Sequence, residues 1–201
     1  MKIKRFIGGS LESNGYIIYQ NINGSCFVID PGYNFKIFQD YIDSNALKLK
    51  GILLTHHHYD HVGAVEKLKD IYDCPVYLHR EDCDLYGKSV DCLMEDGDLL
   101  DLDGELIKVI NTPGHTKGSV CFYSEKSKLA FTGDTIFDID IGRVDLEGGC
   151  EADMIDSILN KVDKWENDIT IYPGHGDSCT MKKVREKNDE FLYIIKNFKR
   201  S

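Results

Sequence analysis

No stretch of this chain of 201 residues stays apolar for the eighteen or so residues that a membrane-spanning helix needs. The opening segment, "MKIKRFIGGSLESNG", has basic residues but no sustained apolar core, so no secretory leader is expected. Cysteines never fall in a C-x-x-C pair, and their number, seven, is odd. That pattern argues against a disulfide framework and predicts free thiols in a reducing cytoplasm. Basic residues are in short supply: 24 Lys and Arg stand against 34 Asp and Glu, a formal net charge of −10. Nucleic acid, whose binding needs a basic footprint, is disfavoured as a partner, and no membrane contact is expected. A small anionic substrate is not excluded, because bound metal ions reverse the field locally. Repeats, low-complexity tracts and linkers are also lacking, so residues 1–201 are expected to form one α/β unit.

What is present is an alternation of short apolar, β-branched runs with helical stretches. Strands are predicted over residues 16–20, 25–30, 50–55, 75–79, 106–111, 120–124, 129–133 and 169–172, each closing on turn-forming or polar residues. Between them, "NFKIFQDYIDSNA" sets Phe35, Phe38, Tyr41 and Ile42 on one helical face. "EADMIDSILNKVDKW" does the same with Met154, Ile155, Ile158, Leu159 and Val162. A third long helix is predicted from Met181 to Phe198.

The distribution of histidine is uneven. Four of the seven histidines lie in "LLTHHHYDHVG", residues 53–63, together with Asp60. His56 and His58 are two apart, so in an extended segment their side chains leave from the same side. Asp60 and His61 follow, where a helix is expected to begin at Val62. A histidine cluster can also be a chance metal scavenger. The rest of the chain decides against that. "NTPGHTKGSV" supplies His115, "LAFTGDTIF" supplies Asp134 and "ITIYPGHGD" supplies His175. All four groups stand at the C-terminal ends of predicted strands, the edge at which α/β folds gather their sites. His79, in "VYLHRED", has no such company and reads as a structural histidine.

In this order the motifs resemble those of the metallo-β-lactamase fold superfamily. "THHHYDH" is similar to its T-H-x-H-x-D-H signature, "TPGHTKGS", "FTGD" and "YPGHG" to its later ligand motifs, and "FVIDPG" to its early one. The resemblance implies a four-layer αββα sandwich, two mixed β-sheets flanked by helices. It further implies that His56, His58 and His115 hold one metal ion, that Asp60, His61 and His175 hold a second, and that Asp134 bridges both. Asp30 would support the metal loop from behind the ligands. His57 occupies the variable position of the signature and would bind neither ion. Two divalent ions are implied, zinc foremost, with iron and manganese also suited to these donors.

Two ions about 3.5–4 Å apart can share a water and lower its pKa towards neutrality. A bridging hydroxide, oriented by Asp60, would then attack a carbonyl without a Ser or Cys nucleophile. Cys121 and Cys179 are accordingly expected to be structural thiols. "FTGDTIFDIDIGRVDLEGG" resembles the corresponding segment of glyoxalase II-like hydroxyacylglutathione hydrolases, so the implied substrate is a small-molecule thioester. Arg143, in that segment, is the candidate contact for an anionic part of the substrate, or else a brace for its own loop through backbone carbonyls. Only about 26 residues follow His175, room for one helix rather than for the added C-terminal glutathione-binding domain of full-length glyoxalase II. Competing expectations remain open: a mononuclear iron persulfide dioxygenase, a lactonase or other metallo-hydrolase, and a non-catalytic metal-binding protein.

Overall fold

The computed structural model describes residues 1–199. Six strands from the first half of the chain form one sheet: β1 (Lys2–Gly8), β2 (Ser13–Tyr19), β3 (Ser25–Ile29), β4 (Lys48–Leu53), β5 (Val76–His79) and β6 (Cys92–Met94). They lie side by side in chain order, antiparallel from β1 to β3 and parallel from β3 to β6. The second half builds the other sheet from β7 (Leu99–Leu102), β8 (Glu105–Asn111), β9 (Val120–Ser124), β10 (Leu129–Gly133), β11 (Thr170–Pro173) and β12 (Cys179–Thr180). That sheet is also mixed, with β10 and β11 its parallel pair.

Alternation along the strands explains why both sheets are covered on both faces. Tyr16 and Ile18 of β2, Phe27 and Ile29 of β3 and Leu53 at the end of β4 point between the sheets. There they meet Ile107, Val109, Val120, Phe122, Leu129 and Phe131 of the second sheet. The intervening residues, Ile17, Val28 and Ile52, point outward to α1 (Phe35–Ser44) and α3 (Val65–Tyr72). Cys121, Ala130 and Ile171 face α5 (Glu151–Asn160), α6 (Met181–Lys187) and α7 (Asp189–Phe198). The result is the expected αββα sandwich of two mixed sheets. The central strands β2, β3 and β10 are buried on both faces and so read as near-continuous apolar runs. Trimming an inter-sheet ring such as Phe122 or Phe131 to alanine would cost about 3–5 kcal/mol.

Two local expectations give way. The predicted C-terminal helix is broken at Asn188, whose backbone is extended and whose side chain accepts from Phe191 N at 2.8 Å, capping α7. Its amide also donates to the carbonyls of Phe137 and Asp140. The helix expected from Val62 starts earlier, as the single turn α2 (Tyr59–Val62), before α3 resumes at Val65. Helix α4 (Cys83–Tyr86) follows a tight turn over Arg80–Asp82. No helix among the described residues is long and apolar enough to cross a membrane.

Candidate metal centre

Strands β3, β4, β8, β10 and β11 all end on the same edge of the sandwich, and the loops they feed carry the predicted site residues. Beyond β4, Asp30 fixes the backbone: Oδ1 accepts from Thr55 N at 2.8 Å and Oδ2 from Thr55 Oγ1 at 2.6 Å. Asp30 Oδ2 also lies 3.2 Å from His61 Nδ1, which leaves Nε2 of that ring facing inward. Helix α2 then presents Asp60 and His61. Its close approach to the "DPG" turn requires a glycine, since a Cβ on Gly32 would lie 1.5 Å from the Asp60 carbonyl oxygen. Ser13 Oγ donates to that same carbonyl at 2.7 Å.

His115 follows a Pro-Gly turn on which α5 rests. Gly114 has φ 140°, and a Cβ there would strike the Met154 backbone at 2.5 Å. The Arg143 carbonyl accepts from His115 Nδ1 at 2.7 Å and aims Nε2 into the site. The Leu11 carbonyl does the same for His175 Nδ1 at 3.0 Å. Asp134 follows Gly133, whose φ of 48° lets the backbone turn tightly over Thr55.

These loops bring His56, His58, Asp60, His61, His115, Asp134 and His175 together. Two three-residue groups have donor atoms within 4.8 Å of one another, one of His56, His58 and His115 and one of Asp60, His61 and His175. Asp134 stands between them, 3.6 Å from His115 Nε2 and 3.5 Å from both His61 Nε2 and His175 Nε2. Asp30, His56 and His61 also meet that distance, but both Asp30 oxygens are taken up by Thr55, and Oδ2 by His61 as well.

The donor set suits metal ions on two independent grounds. Buried His56 Nε2 and Asp134 Oδ1 have no hydrogen-bond partner in the protein, a costly state that a cation would relieve. Imidazole nitrogens also converge, His58 Nδ1 on His115 Nε2 at 2.9 Å and His61 Nε2 on His175 Nε2 at 3.3 Å. Burial, reinforced by His61 and His115, holds His56 well below the ordinary histidine range, and burial with His115 pushes His58 down to about 4. Both are therefore neutral, the form that ligates. Burial opposes charge on Asp134, yet His61, His175 and His115 outweigh it and bring the carboxyl to about 2. The carboxylates in turn overcome burial to raise His61 to about 9 and His175 to about 10. Metal uptake at that end must displace protons.

Asp82 has a role that the sequence did not disclose. It is fully buried, and Oδ2 accepts from His57 N at 3.1 Å, His57 Nδ1 at 2.9 Å and Thr116 Oγ1 at 2.8 Å. Oδ1 accepts from Gly118 N at 2.6 Å. One carboxylate thus ties the His56–His58 loop to the His115 loop. His57 is held here, outside both ligand groups. His79 is buried, and its Nδ1 accepts from Glu81 N as a turn cap. Burial pushes the thiols of Cys121 and Cys179 up to about 11, and all seven cysteines are unpaired.

Above the cluster opens a cleft of about 620 Å³, walled by Leu11, Tyr59, Phe137 and Leu146, with Arg143 on its rim. The Arg143 guanidinium is paired with Asp145 through two contacts of 2.7 Å. A larger groove of about 800 Å³ lies against Trp165 and contains none of the site residues.

Comparison with known proteins accords with this geometry. The Metallo-beta-lactamase superfamily pattern matches residues 8–175. A hydroxyacylglutathione hydrolase of Francisella philomiragia is 37% identical over 87% of this chain and 68% of its own length. Among solved structures, BLEG-1 B3 metallo-beta-lactamase superposes with a TM-score of 0.85 at 30% identity, covering 94% of this chain and 98% of that one. TTHA1623, solved in a di-iron-bound form, gives 0.81 at 30% identity over 92% and 98%.

Proposed function

The chain belongs to the metallo-β-lactamase superfamily and is a metal-dependent hydrolase, and within that class we propose that it cleaves thioesters in the manner of hydroxyacylglutathione hydrolases. The observation that carries this reading is the meeting of two ligand groups around Asp134 beneath an open cleft. His56, His58 and His115 would hold one divalent ion and Asp60, His61 and His175 the other, with Asp134 facing both. Zinc is the first choice, and the di-iron form of TTHA1623 supports iron as the second. When bound, the ions would supply Lewis acidity towards a carbonyl oxygen and lower the pKa of a nearby water.

The protein's own groups supply orientation. Asp60 Oδ2 lies 3.3 Å from His175 Nε2, so the carboxylate is fixed at the cleft floor where a reacting water can be aligned. The carbonyls of Arg143 and Leu11 keep His115 and His175 in one tautomer and one direction. Water adds across the C–S bond to give a carboxylate, a thiol and one proton. The departing thiolate, with an ordinary pKa near 8.5, needs no strong general acid. No cysteine is called on, since Cys121 and Cys179 are buried and protonated. Arg143 lines the cleft, where an anionic part of the substrate would meet its guanidinium only in exchange for Asp145. We place this activity in the cytoplasm, on residues 1–201 acting as one unit.

The test is thiol release from S-lactoylglutathione by metal-replete protein, with Asp60→Ala as control. A kcat/KM above roughly 10⁴ M⁻¹s⁻¹, lost in the control, is expected. The 30% identity to a B3 metallo-beta-lactamase favours a second reading, hydrolysis of a cyclic amide or ester. Turnover of a β-lactam or lactone without thiol release would select it. Oxygen uptake on a persulfide, by protein holding a single iron, would overturn both.

A further inference from the structure

The walls of the cleft are more apolar than a polar hydroxyacyl thioester requires. Tyr59 is 70% exposed, Leu11 50% and Leu146 40%, although all three border the reacting centre. A second hollow of about 280 Å³ opens on the other side of Tyr59 and Leu11, with Tyr33, 58% exposed, on its wall. Tyr59, Leu11 and Asp60 line both, so the two hollows adjoin around the same side chains. Exposed apolar surface gathered at a site is what a bound molecule covers.

Charge points the same way. Among the described residues Arg143 is the only lysine or arginine lining either hollow, and Asp145 already engages its guanidinium twice. The other ionisable groups in the main cleft, apart from Tyr59, are His58, Asp60, His115, Asp134 and His175, all members of the ligand groups. Away from the ligand groups, no unpaired side-chain cation among the described lining residues is left to receive a carboxylate on the arm of the substrate.

We infer that the substrate carries an uncharged apolar arm, an aliphatic or aromatic acyl group of several carbons, lying across Tyr59 and Leu11 with its scissile carbonyl above Asp60 and Asp134. This inference rests on the hydrolytic reading above and names the substrate class it takes. A short hydroxyacyl group on an anionic thiol would leave the Tyr59 face in water.

The experiment is a chain-length series. Acetyl, butanoyl, hexanoyl and octanoyl thioesters of N-acetylcysteamine are compared with S-lactoylglutathione on metal-replete protein. In parallel, hydroxamic acids of the same four chains are titrated by calorimetry, which reads the arm without any turnover. Burial of a methylene is worth about 0.8 kcal/mol, so kcat/KM and hydroxamate affinity should rise roughly two- to fourfold per methylene. Octanoyl should exceed S-lactoylglutathione, and the gain should flatten in Tyr59→Ala and in Leu146→Ser, which lies on the opposite wall. A flat or falling series in both assays, or a slope unchanged in the two variants, would overturn the inference. Rising hydroxamate affinity with no thioester cleavage would keep the apolar arm and refute thioester hydrolysis alone.

Discussion

Asp82→Ala is the substitution that probes the centre without touching a ligand. The carboxylate is fully buried and accepts four hydrogen bonds, two from His57 and one each from Thr116 and Gly118. Thr116 keeps a second partner in Ser119 Oγ at 2.8 Å. The amides of His57 and Gly118 would each lose this partner, at about 1–3 kcal/mol apiece. Water entering the vacated space offsets part of that, so the metal-free protein should lose about 3 kcal/mol. For a chain of this size, that is a fall in Tm of roughly 6–12 °C. The metal readout is separate. Releasing the loop that carries His56 and His58 from the loop that carries His115 should weaken that ligand group about 10- to 100-fold, the usual effect of losing a partner behind a ligand. Asp60, His61 and His175 do not contact Asp82 and should retain their ion. Zinc competition with a chromophoric chelator would resolve one weakened and one unaltered site, and Thr116→Val, lacking one bond of the four, should fall between. Unchanged zinc affinity at both sites, whatever the Tm, would refute the positioning role and leave Asp82 a brace of the fold.

Gly32→Ala should be among the most damaging exchanges of a single methyl group, because its Cβ would lie 1.5 Å from the Asp60 carbonyl oxygen. The backbone of α2 must move, so we expect a loss above about 3 kcal/mol and a lowered metal content, measured by urea denaturation and elemental analysis; a variant with native values would show that the turn can yield. Glu105 offers a test by pH. It is buried, which opposes its charge, but Ser124, Ser127 and Gln20 outweigh burial and hold its carboxyl below the usual range. A depressed carboxylate contributes stability above its unfolded pKa, about 4.3, and loses it as pH falls through the folded value. The stability gap between the native protein and Glu105→Gln, followed by urea midpoints on chelated protein, should therefore be full at pH 6 and shrink below about pH 4. A gap independent of pH would remove the assignment.

The buried strands were legible in the sequence because both of their faces are apolar, as in "YIIY" of β2 and "LAFTG" of β10. The first strand was not. "KIKRFIG" is an edge strand with Lys2 and Lys4 exposed and no residue fully buried, so it lacks the apolar run by which the other strands were expected. The break at Asn188 was hidden for a different reason. Val184, Phe191 and Ile194 keep a helical rhythm across it, and only the hydrogen bonds of Asn188 to the loop at Phe137 and Asp140 show why the chain stops and restarts. The histidines and aspartates of the centre could be picked out because each group stands at the C-terminal end of a predicted strand. Asp82 could not, since His57, Thr116 and Gly118 lie 25 to 36 residues away and nothing local marks it. Arg143 was singled out for its side chain, whereas the atom that touches the centre is its carbonyl oxygen.

Each sheet is made from one half of the chain, and this order has a consequence during synthesis. The first six strands leave the ribosome complete, with Tyr16, Ile18, Phe27, Ile29 and Leu53 bare on one side until the later strands arrive to cover them. Over that interval the nascent half holds His56, His58, Asp60 and His61 but lacks His115, Asp134 and His175. It is sticky and only half equipped to retain an ion. An ion held by residues of both halves would act as a clasp: by mass action it would stabilise only the docked pair, so the metal-free chain should be the more protease-sensitive form.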